Sequence, residues 1–215
     1  MKKCEFSEKF YEILFDREVL NKFPNMRMYV PSQAKEEYCG YDALIHLRKV
    51  FPKAKFKFFA LQFKIPQKYE KVKSPYCKNA FKFYLHMDKR KKYNQHNKLV
   101  KMTKSKKYGA FYVVPKFNTY SGLYKVGFTD IMNNSLYIVP ENNINDSLYH
   151  YISYGQDSSS KWLSELHSKI AKNLKIFELT QFLEQIQNIP YIENIESIKE
   201  YFDDSDFGWG LCVEE

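Results

Sequence analysis

Three polar side chains between residues 36 and 64 have types and spacing suited to metal-dependent chemistry. Asp42 offers a carboxylate, while Gln62 and Lys64 close an aromatic and aliphatic segment that is typical of a β-strand. Because side chains alternate along a strand, Gln62 and Lys64 should project from the same face. If a hairpin brings Asp42 beside them, a carboxylate, an amide oxygen and an ammonium converge. Such a trio can hold a divalent metal ion and a water molecule.

The flanking segments predict that hairpin. Tyr41 to Leu47 and Lys55 to Ile65 have the composition of an antiparallel strand pair joined by a turn near Pro52. The second segment is nearly continuous in apolar residues, as a buried central strand should be. A glutamine and a lysine at its end are out of place in a core, and such broken local rules indicate a functional site. Gly40 allows a tight or positive-φ link into the first strand.

The order of these features resembles the PD-(D/E)XK, or restriction-endonuclease-like, nuclease superfamily. Gly-Tyr-Asp at 40–42 is followed by Gln-Phe-Lys at 62–64, then by a basic helical segment and a further strand. Glutamine in place of the usual acid resembles the Mrr-like branch. The resemblance covers roughly Gln33 to Phe117. It implies an α/β fold with a restriction-endonuclease-like mixed sheet flanked by helices, which we expect to carry a helical C-terminal extension.

This resemblance implies a metal-dependent nuclease that hydrolyses phosphodiester bonds, with DNA as the expected substrate and prokaryotic antiviral defence or restriction as the expected setting. Its cofactor would be Mg²⁺, with Mn²⁺ able to substitute. Asp42 would be the principal ligand, aided by the side-chain oxygen of Gln62 and the carbonyl of Phe63. Lys64 would orient or deprotonate the water and stabilise the developing charge. With only one strong anionic ligand, metal affinity should be weak until phosphate arrives.

An additional acid upstream of the aspartate helps to hold the metal in some members of the superfamily. A brief helix from Gln33 to Tyr38 would place Glu36 or Glu37 ahead of Asp42. We choose Glu37, five residues before Asp42, as the fourth catalytic and metal-binding residue. Ordinary helix-surface glutamates remain the alternative.

A basic helix is predicted from Asp88 to Lys107, with Gly109 as its C-cap. In the superfamily the helix after the third strand bears the residues that meet the DNA backbone. The resemblance therefore implies four nucleic-acid-binding residues, which are Lys91, Gln95, Lys98 and Lys101. A solvated surface helix is the alternative.

The charge is unevenly distributed along the chain, whose formal net charge is +9. Residues 48–107 contain twenty lysines and arginines against two acids, whereas residues 157–215 contain five against twelve. A basic half with interleaved aromatic residues is the electrostatic footprint of a phosphate-backbone binder. The alternative is the solvated surface of a lysine-rich protein.

Several other classes are disfavoured. The N-terminus has no apolar segment of the kind found in signal peptides, and no run of about 18 apolar residues occurs, so we expect a cytoplasmic protein without a membrane partner. The cysteines are far apart and lack Cys-x-x-Cys spacing, which predicts reduced thiols rather than zinc or disulfides. The histidines show no metal-site spacing, and no glycine-rich phosphate loop is present.

The remaining periodicities predict the outline of the fold. A helix should span Glu5 to Phe23, and Ala110 to Phe117 should form a strand parallel to the Gln-Phe-Lys strand. Residues 81–87 fit a strand or a helix. Further strands are predicted at Leu123 to Thr129 and Ser135 to Val139, and helical stretches at 162–177, 178–188 and 193–202. We divide the chain into a nuclease core at 1–156 and an acidic helical extension at 157–215, packed on the core.

Two other functions fit the same sequence. One is a catalytically inactive nucleic-acid-binding protein on the same fold. The other is a protein-interaction or scaffolding role that uses the dipolar surface. A homodimer or a partner protein of a defence system also remains open.

Overall fold

The computed structural model describes residues 2–32, 36, 39–49, 55–68, 81–86, 95–140, 149–154 and 175–192. Within these ranges the strands are β1 Met26–Tyr29, β2 Ala43–Lys49, β3 Lys55–Phe63, β4 Gln67–Lys68, β5 Phe81–His86, β6 Gly109–Pro115, β7 Ser135–Ile138, β8 Tyr149–Tyr154 and β9 Ile176–Phe177. The helices named in the same ranges are α1 Glu8–Lys22, α2 Gln95–Lys104, α3 Tyr120–Val126 and α4 Leu179–Asn188.

A six-stranded mixed sheet forms the centre of the fold, with the strand order β1-β2-β3-β6-β7-β9. Strands β1, β2 and β3 pair antiparallel, β3 pairs parallel with β6, and β6, β7 and β9 again pair antiparallel. The predicted hairpin and the predicted parallel neighbour are both confirmed. Helix α2 lies in the crossover from β3 to β6, as a parallel connection requires. The protein is therefore α/β, with a mixed sheet flanked by helices.

Each face of this sheet is covered by a different set of elements. On one face, Phe59, Leu61 and Phe63 of β3 belong to an apolar cluster with α1 and α4. On the other face, Phe58 and Ala60 belong to a cluster with α2 and with β5, the central strand of a second sheet ordered β4-β5-β8. Alternation along β3 thus supplies both cores. The second sheet resolves the ambiguity at 81–87 in favour of a strand, and strand β8 was not predicted.

Helix α1 has well-defined ends. The Ser7 hydroxyl accepts a hydrogen bond from the N–H of Phe10 at 3.1 Å, and Glu8 occupies the first turn, where a carboxylate favours the helix dipole. The helix ends at Lys22, ahead of Pro24. The helix predicted at Glu5 to Phe23 is confirmed with narrower bounds.

Three local predictions were wrong. The segment predicted as a strand at Leu123 to Thr129 is largely helical, because the Thr119 hydroxyl caps the N–H of Gly122 at 3.0 Å and starts α3. Gly109 is the first residue of β6 rather than a C-cap, and the positive φ after α2 belongs to Lys106, at 57°. Phe177, predicted to be helical, lies in β9.

The C-terminal part of the chain contributes to the central sheet where the structure describes it. Strand β9 pairs with β7, and α4 buries Phe182 and Ile186 on the same face as α1. The ammonium of Lys57 on β3 donates to the carbonyl oxygens of Ile186 and Gln187 at the end of α4. Residues 162–174 of the helix predicted at 162–177, and the whole helix predicted at 193–202, lie outside the described residues. Among the helices that are described, none has the length and apolar character to cross a bilayer.

Candidate functional site

Asp42 and Gln62 are in contact where the β2–β3 hairpin opens. The N–H of Asp42 donates to the carbonyl of Leu61 at 2.9 Å, so Asp42 lies opposite the C-terminal end of β3. Its carboxylate oxygen Oδ2 accepts two hydrogen bonds of 2.6 Å, from Nε2 of Gln62 and from the main-chain N–H of Phe63. The contact shown for Phe63 is therefore made by its N–H, whereas the prediction concerned its carbonyl. The hairpin brings the carboxylate and the amide together, as their spacing predicted.

Lys64 joins this group from just beyond β3. Its main-chain N–H donates to the carbonyl of Val113, and its ammonium lies 3.5 Å from a carboxylate oxygen of Glu8 in the first turn of α1. Burial raises the pKa of Glu8 and of Asp42, and the positive charge of Lys64 partly offsets both shifts. The ammonium of Lys64 thus favours negative charge on two carboxyl groups, those of Glu8 and Asp42, at the carboxyl end of β3.

Glu36 supplies a third carboxylate. Its Oε1 accepts a hydrogen bond of 3.4 Å from Nε2 of Gln95 at the start of α2, and its presence near Asp42 contributes to the raised pKa of that carboxyl group. Glu37, which we chose over Glu36 from the sequence, lies outside the described residues. The described acid next to Asp42 is therefore the neighbour that we passed over.

The site favours protonation of its carboxyl groups. Burial raises the pKa of Asp42 to about 8, and Glu36 and Glu8 add to this shift while Lys64 opposes it. The pKa of Glu8 is also raised, again mainly by burial. Like charges confined in a poorly solvated site disfavour ionisation until a cation neutralises them. Such a crowded carboxylate group is what a hard divalent cation would relieve.

The side-chain oxygen of Gln62 is a candidate ligand for a cation. Gln62 is 1% exposed, and its Oε1 has no hydrogen-bond partner among the described residues. A buried carbonyl oxygen without a partner is unfavourable, and amide oxygens are ligands that Mg²⁺ accepts. At present Nε2 is the amide atom that faces Asp42. A 180° rotation of the amide about χ3 would exchange Nε2 and Oε1 and so turn the oxygen toward Asp42.

The carboxyl groups of Asp42, Glu8 and Glu36 are close to one another but are not arranged as a common set of metal ligands. In the described part of the chain, no three His, Cys, Asp or Glu side chains are arranged to hold a metal ion. A cation beside Asp42 would therefore need amide or main-chain oxygens and water as its other ligands. Mg²⁺ fits this donor set, because it prefers oxygen and retains several waters.

Gly40 allows α2 to approach the site. Its φ is +84°, and a Cβ added there would lie 3.2 Å from the carbonyl oxygen of Gln95 and 3.2 Å from Cβ of Lys98. The N–H of Gly40 also donates to the carbonyl of Glu36 at 2.8 Å, which closes the helical turn that holds Glu36. Glycine is required here both for the left-handed conformation and for the close packing of the helix.

The predicted nucleic-acid-binding residues have different environments. Gln95 reaches the site through Glu36, and Lys101 is exposed on α2. Lys98 is only partly exposed, its Nζ atom is buried, and burial lowers its pKa. Lys98 therefore differs from the exposed cation that was predicted. Lys91 lies outside the described residues.

Glu8 is the residue that sequence reasoning missed. The covering helix was predicted, but no pattern indicated which of its turns lies at the end of β3.

Two of the described histidines, His46 and His96, pack against aromatic side chains. Nδ1 of His96 lies 2.7 Å from the hydroxyl of Tyr112, and the ring of His46 stacks on Phe58. Cys39 is buried and unbridged. These groups stay outside the carboxylate cluster.

Comparison with protein-family models, with curated proteins and with solved structures finds no match to this chain. Its function must therefore be inferred from the geometry of the site.

Proposed function

We propose that this protein is a Mg²⁺-dependent nuclease that hydrolyses phosphodiester bonds, with DNA as its expected substrate, on a restriction-endonuclease-like fold. The observation that carries the proposal is the pair of contacts at the carboxyl end of β3, Asp42 with Gln62 and Lys64 with Glu8. The charges of Lys64, Glu36 and Glu8 all act on the pKa of Asp42. The antiparallel β2–β3 pair and the parallel β3–β6 pair, both predicted from the sequence, support the proposal.

Each side chain has a separate task in this proposal. Asp42 and the Gln62 oxygen would hold the cation. The bound cation would acidify a water molecule and polarise the scissile phosphate. Lys64, anchored by Glu8, places a positive charge where the phosphate gains negative charge in the transition state. Glu36 supports Asp42. The exposed Lys101 on α2 contributes to attraction of the nucleic-acid backbone.

The test is cleavage of plasmid and single-stranded DNA with Mg²⁺, Mn²⁺ or EDTA. We expect cation-dependent cleavage by the wild type and at least a hundredfold loss in Lys64→Ala, because one preorganised charge is worth about 10²–10³ in rate. Lys175→Ala is the matched control, since Lys175 is an exposed lysine beside β9, away from the site. Cleavage that survives in EDTA or in Lys64→Ala would contradict the proposal.

A second candidate is a nucleic-acid-binding protein that does not cleave. One observation favours it: Asp42 Oδ2 already accepts hydrogen bonds from the Gln62 amide and the Phe63 N–H, so this oxygen is engaged by protein donors. Salt-sensitive DNA binding by the wild type and by Lys64→Ala, with no cleavage by either, would support it. A role in antiviral defence or restriction stays an implication of the resemblance alone.

A further inference from the structure

An exposed row of aromatic side chains runs along α3. Tyr120, Tyr124 and Phe128 lie four residues apart and are 42%, 66% and 41% exposed. Their neighbouring ring centroids are 6.4 Å and 5.9 Å apart, and Phe10 of α1 extends the row at 6.3 Å from Tyr120. We call these four residues the aromatic row. A contiguous exposed apolar patch of this kind marks a binding surface.

The aromatic row begins beside the proposed catalytic site. Phe10 is two residues beyond Glu8, whose carboxylate lies 3.5 Å from the ammonium of Lys64. The N–H of Tyr120 donates to the carboxylate of Glu5 at 2.9 Å, so the start of α3 is fixed to the segment just before α1. The first turn of α1 therefore carries both the Glu8 contact to Lys64 and the first ring of the row.

The size of the row argues against a second copy of the chain as its occupant. An aromatic side chain has about 150–250 Å² of surface, so three half-exposed rings present about 300 Å². A stable protein interface buries about 800 Å² on each partner. A nucleobase needs only one ring face, and every base has such a face. Lys125, exposed next to Tyr124, adds a positive charge suited to a phosphate.

We propose that the aromatic row is a stacking platform for unpaired bases of a single-stranded nucleic acid that enters or leaves the catalytic site. The choice of ligand rests on the proposed function. Bases of an intact duplex are stacked on one another and cannot reach the rings. The row therefore selects single-stranded substrates, or strands that have separated near the point of cleavage.

The first experiment measures binding of a fluorescein-labelled oligothymidylate by anisotropy at low salt, in EDTA so that cleavage does not interfere. We expect Tyr124→Ala and Tyr124→Leu to weaken binding about fivefold or more, the lower limit of one lost base-stacking contact. Tyr124→Phe should bind almost as the wild type does, and duplex binding should change much less. Leu20→Ala is the control, because Leu20 is exposed on α1 but has no ring.

A second readout detects stacking directly. Tyr124→Trp should show quenching of indole fluorescence by the oligonucleotide beyond that of the wild type, whose tryptophans are Trp162 and Trp209. Thermal unfolding of each variant checks that it is folded.

Three results would overturn the stacking platform. They are equal affinities of the wild type and Tyr124→Leu, no oligonucleotide binding by the wild type, and a dimer seen by light scattering that Tyr124→Ala abolishes. If cleavage and binding required Lys64 but did not change on substitution of Tyr124, the nuclease proposal would be supported and the stacking platform would be contradicted. If binding depended on Tyr124 but the wild type did not cleave, the stacking platform would be supported and the nuclease proposal would be contradicted.

Discussion

Asp42 occupies a position that favours its protonated form. Its pKa is raised from 3.8 to about 8, mainly by burial. A carboxyl group whose pKa is higher in the folded chain binds more protons when folded, so the free energy of unfolding should fall as pH rises from about 4 to about 8. The residue thus lowers stability at neutral pH when no cation is bound, as functional residues often do.

Asp42→Asn should remove this penalty. Above pH 8 the variant should be more stable than the wild type by more than about 1 kcal/mol, since one pKa unit is worth about 1.4 kcal/mol. Near pH 4 the two should agree, because protonated Asp and Asn present similar groups to Gln62 and Phe63. Urea unfolding without divalent cations at both pH values measures the difference. A variant less stable than the wild type at high pH would contradict the assigned environment.

Gln62→Glu should exchange stability for metal affinity. A fourth carboxylate beside Asp42, Glu36 and Glu8 increases repulsion, so the metal-free variant should unfold at a lower temperature. Added Mg²⁺ or Mn²⁺ should then raise its unfolding temperature more than that of the wild type, because bound ligand stabilises the folded state. Gln187→Glu, at an exposed position, is the control and should show neither effect. Equal cation responses of Gln62→Glu and the wild type would exclude a metal at this position.

The contact between Asp42 and Gln62 could be predicted because it depends on local rules. Strand alternation fixes which side chains share a face, and hairpin pairing fixes which residues lie opposite. Glu8 could not be found in this way, since its place depends on how α1 packs across the sheet. The choice between Glu36 and its neighbour Glu37 depends on a helical turn of a few residues, which composition does not resolve.

At the scale of elements, the approach of α2 to the site depends on Gly40. An alanine there would adopt a φ of +84° and contact Gln95 and Lys98 at 3.2 Å. The left-handed conformation alone costs about 1–2 kcal/mol for a residue with a Cβ. We expect Gly40→Ala to lower stability by at least that amount and to speed hydrogen exchange of amides in α2.

Gly127→Ala separates the cost of the left-handed backbone conformation from the effect of the close contact with α2. Gly127 has a φ of +78°, but a Cβ there meets nothing within 4 Å. This variant should lose stability without faster exchange in α2. If the two variants altered α2 exchange equally, steric displacement by Gly40→Ala would be excluded.

Elements with strong periodicity were predicted better than those decided by a single cap or by distant pairing. Helix α1 was predicted although its apolar residues do not all mark its buried face, since Ile13 and Leu20 are exposed while Glu12 and Glu18 are buried. The β2–β3 pair follows from its apolar pattern, which tertiary packing supports. Helix α3 did not, because Tyr124 and Phe128 are exposed, so the pattern of its apolar residues does not report burial. Strand β8 pairs with β5 across a long stretch of chain, and no local pattern encodes that pairing.

At the scale of the whole molecule, the positive charge of the middle of the chain is suited to attract a polyanion. Twenty basic residues lie between positions 48 and 107, and one of them, Lys101, is exposed on α2. Charge in the sequence does not by itself give a phosphate contact, however. The ammonium of Lys98 is buried although Lys98 belongs to the same basic segment.

The salt dependence of DNA binding should therefore distinguish two lysines that the sequence treats alike. Each lysine that neutralises a phosphate contributes about 0.9 to the slope of log K against log salt on duplex DNA. Lys101→Gln should reduce the slope by about that amount, since an exposed ammonium releases a counterion when phosphate binds. Lys98→Gln should leave the slope unchanged and alter stability instead, because its buried ammonium cannot meet phosphate. Lys175→Gln, beside β9, should change neither. Anisotropy titrations in EDTA at several salt concentrations measure the three slopes, and a reduced slope in Lys98→Gln alone would reverse the assignment of the DNA-facing side of α2.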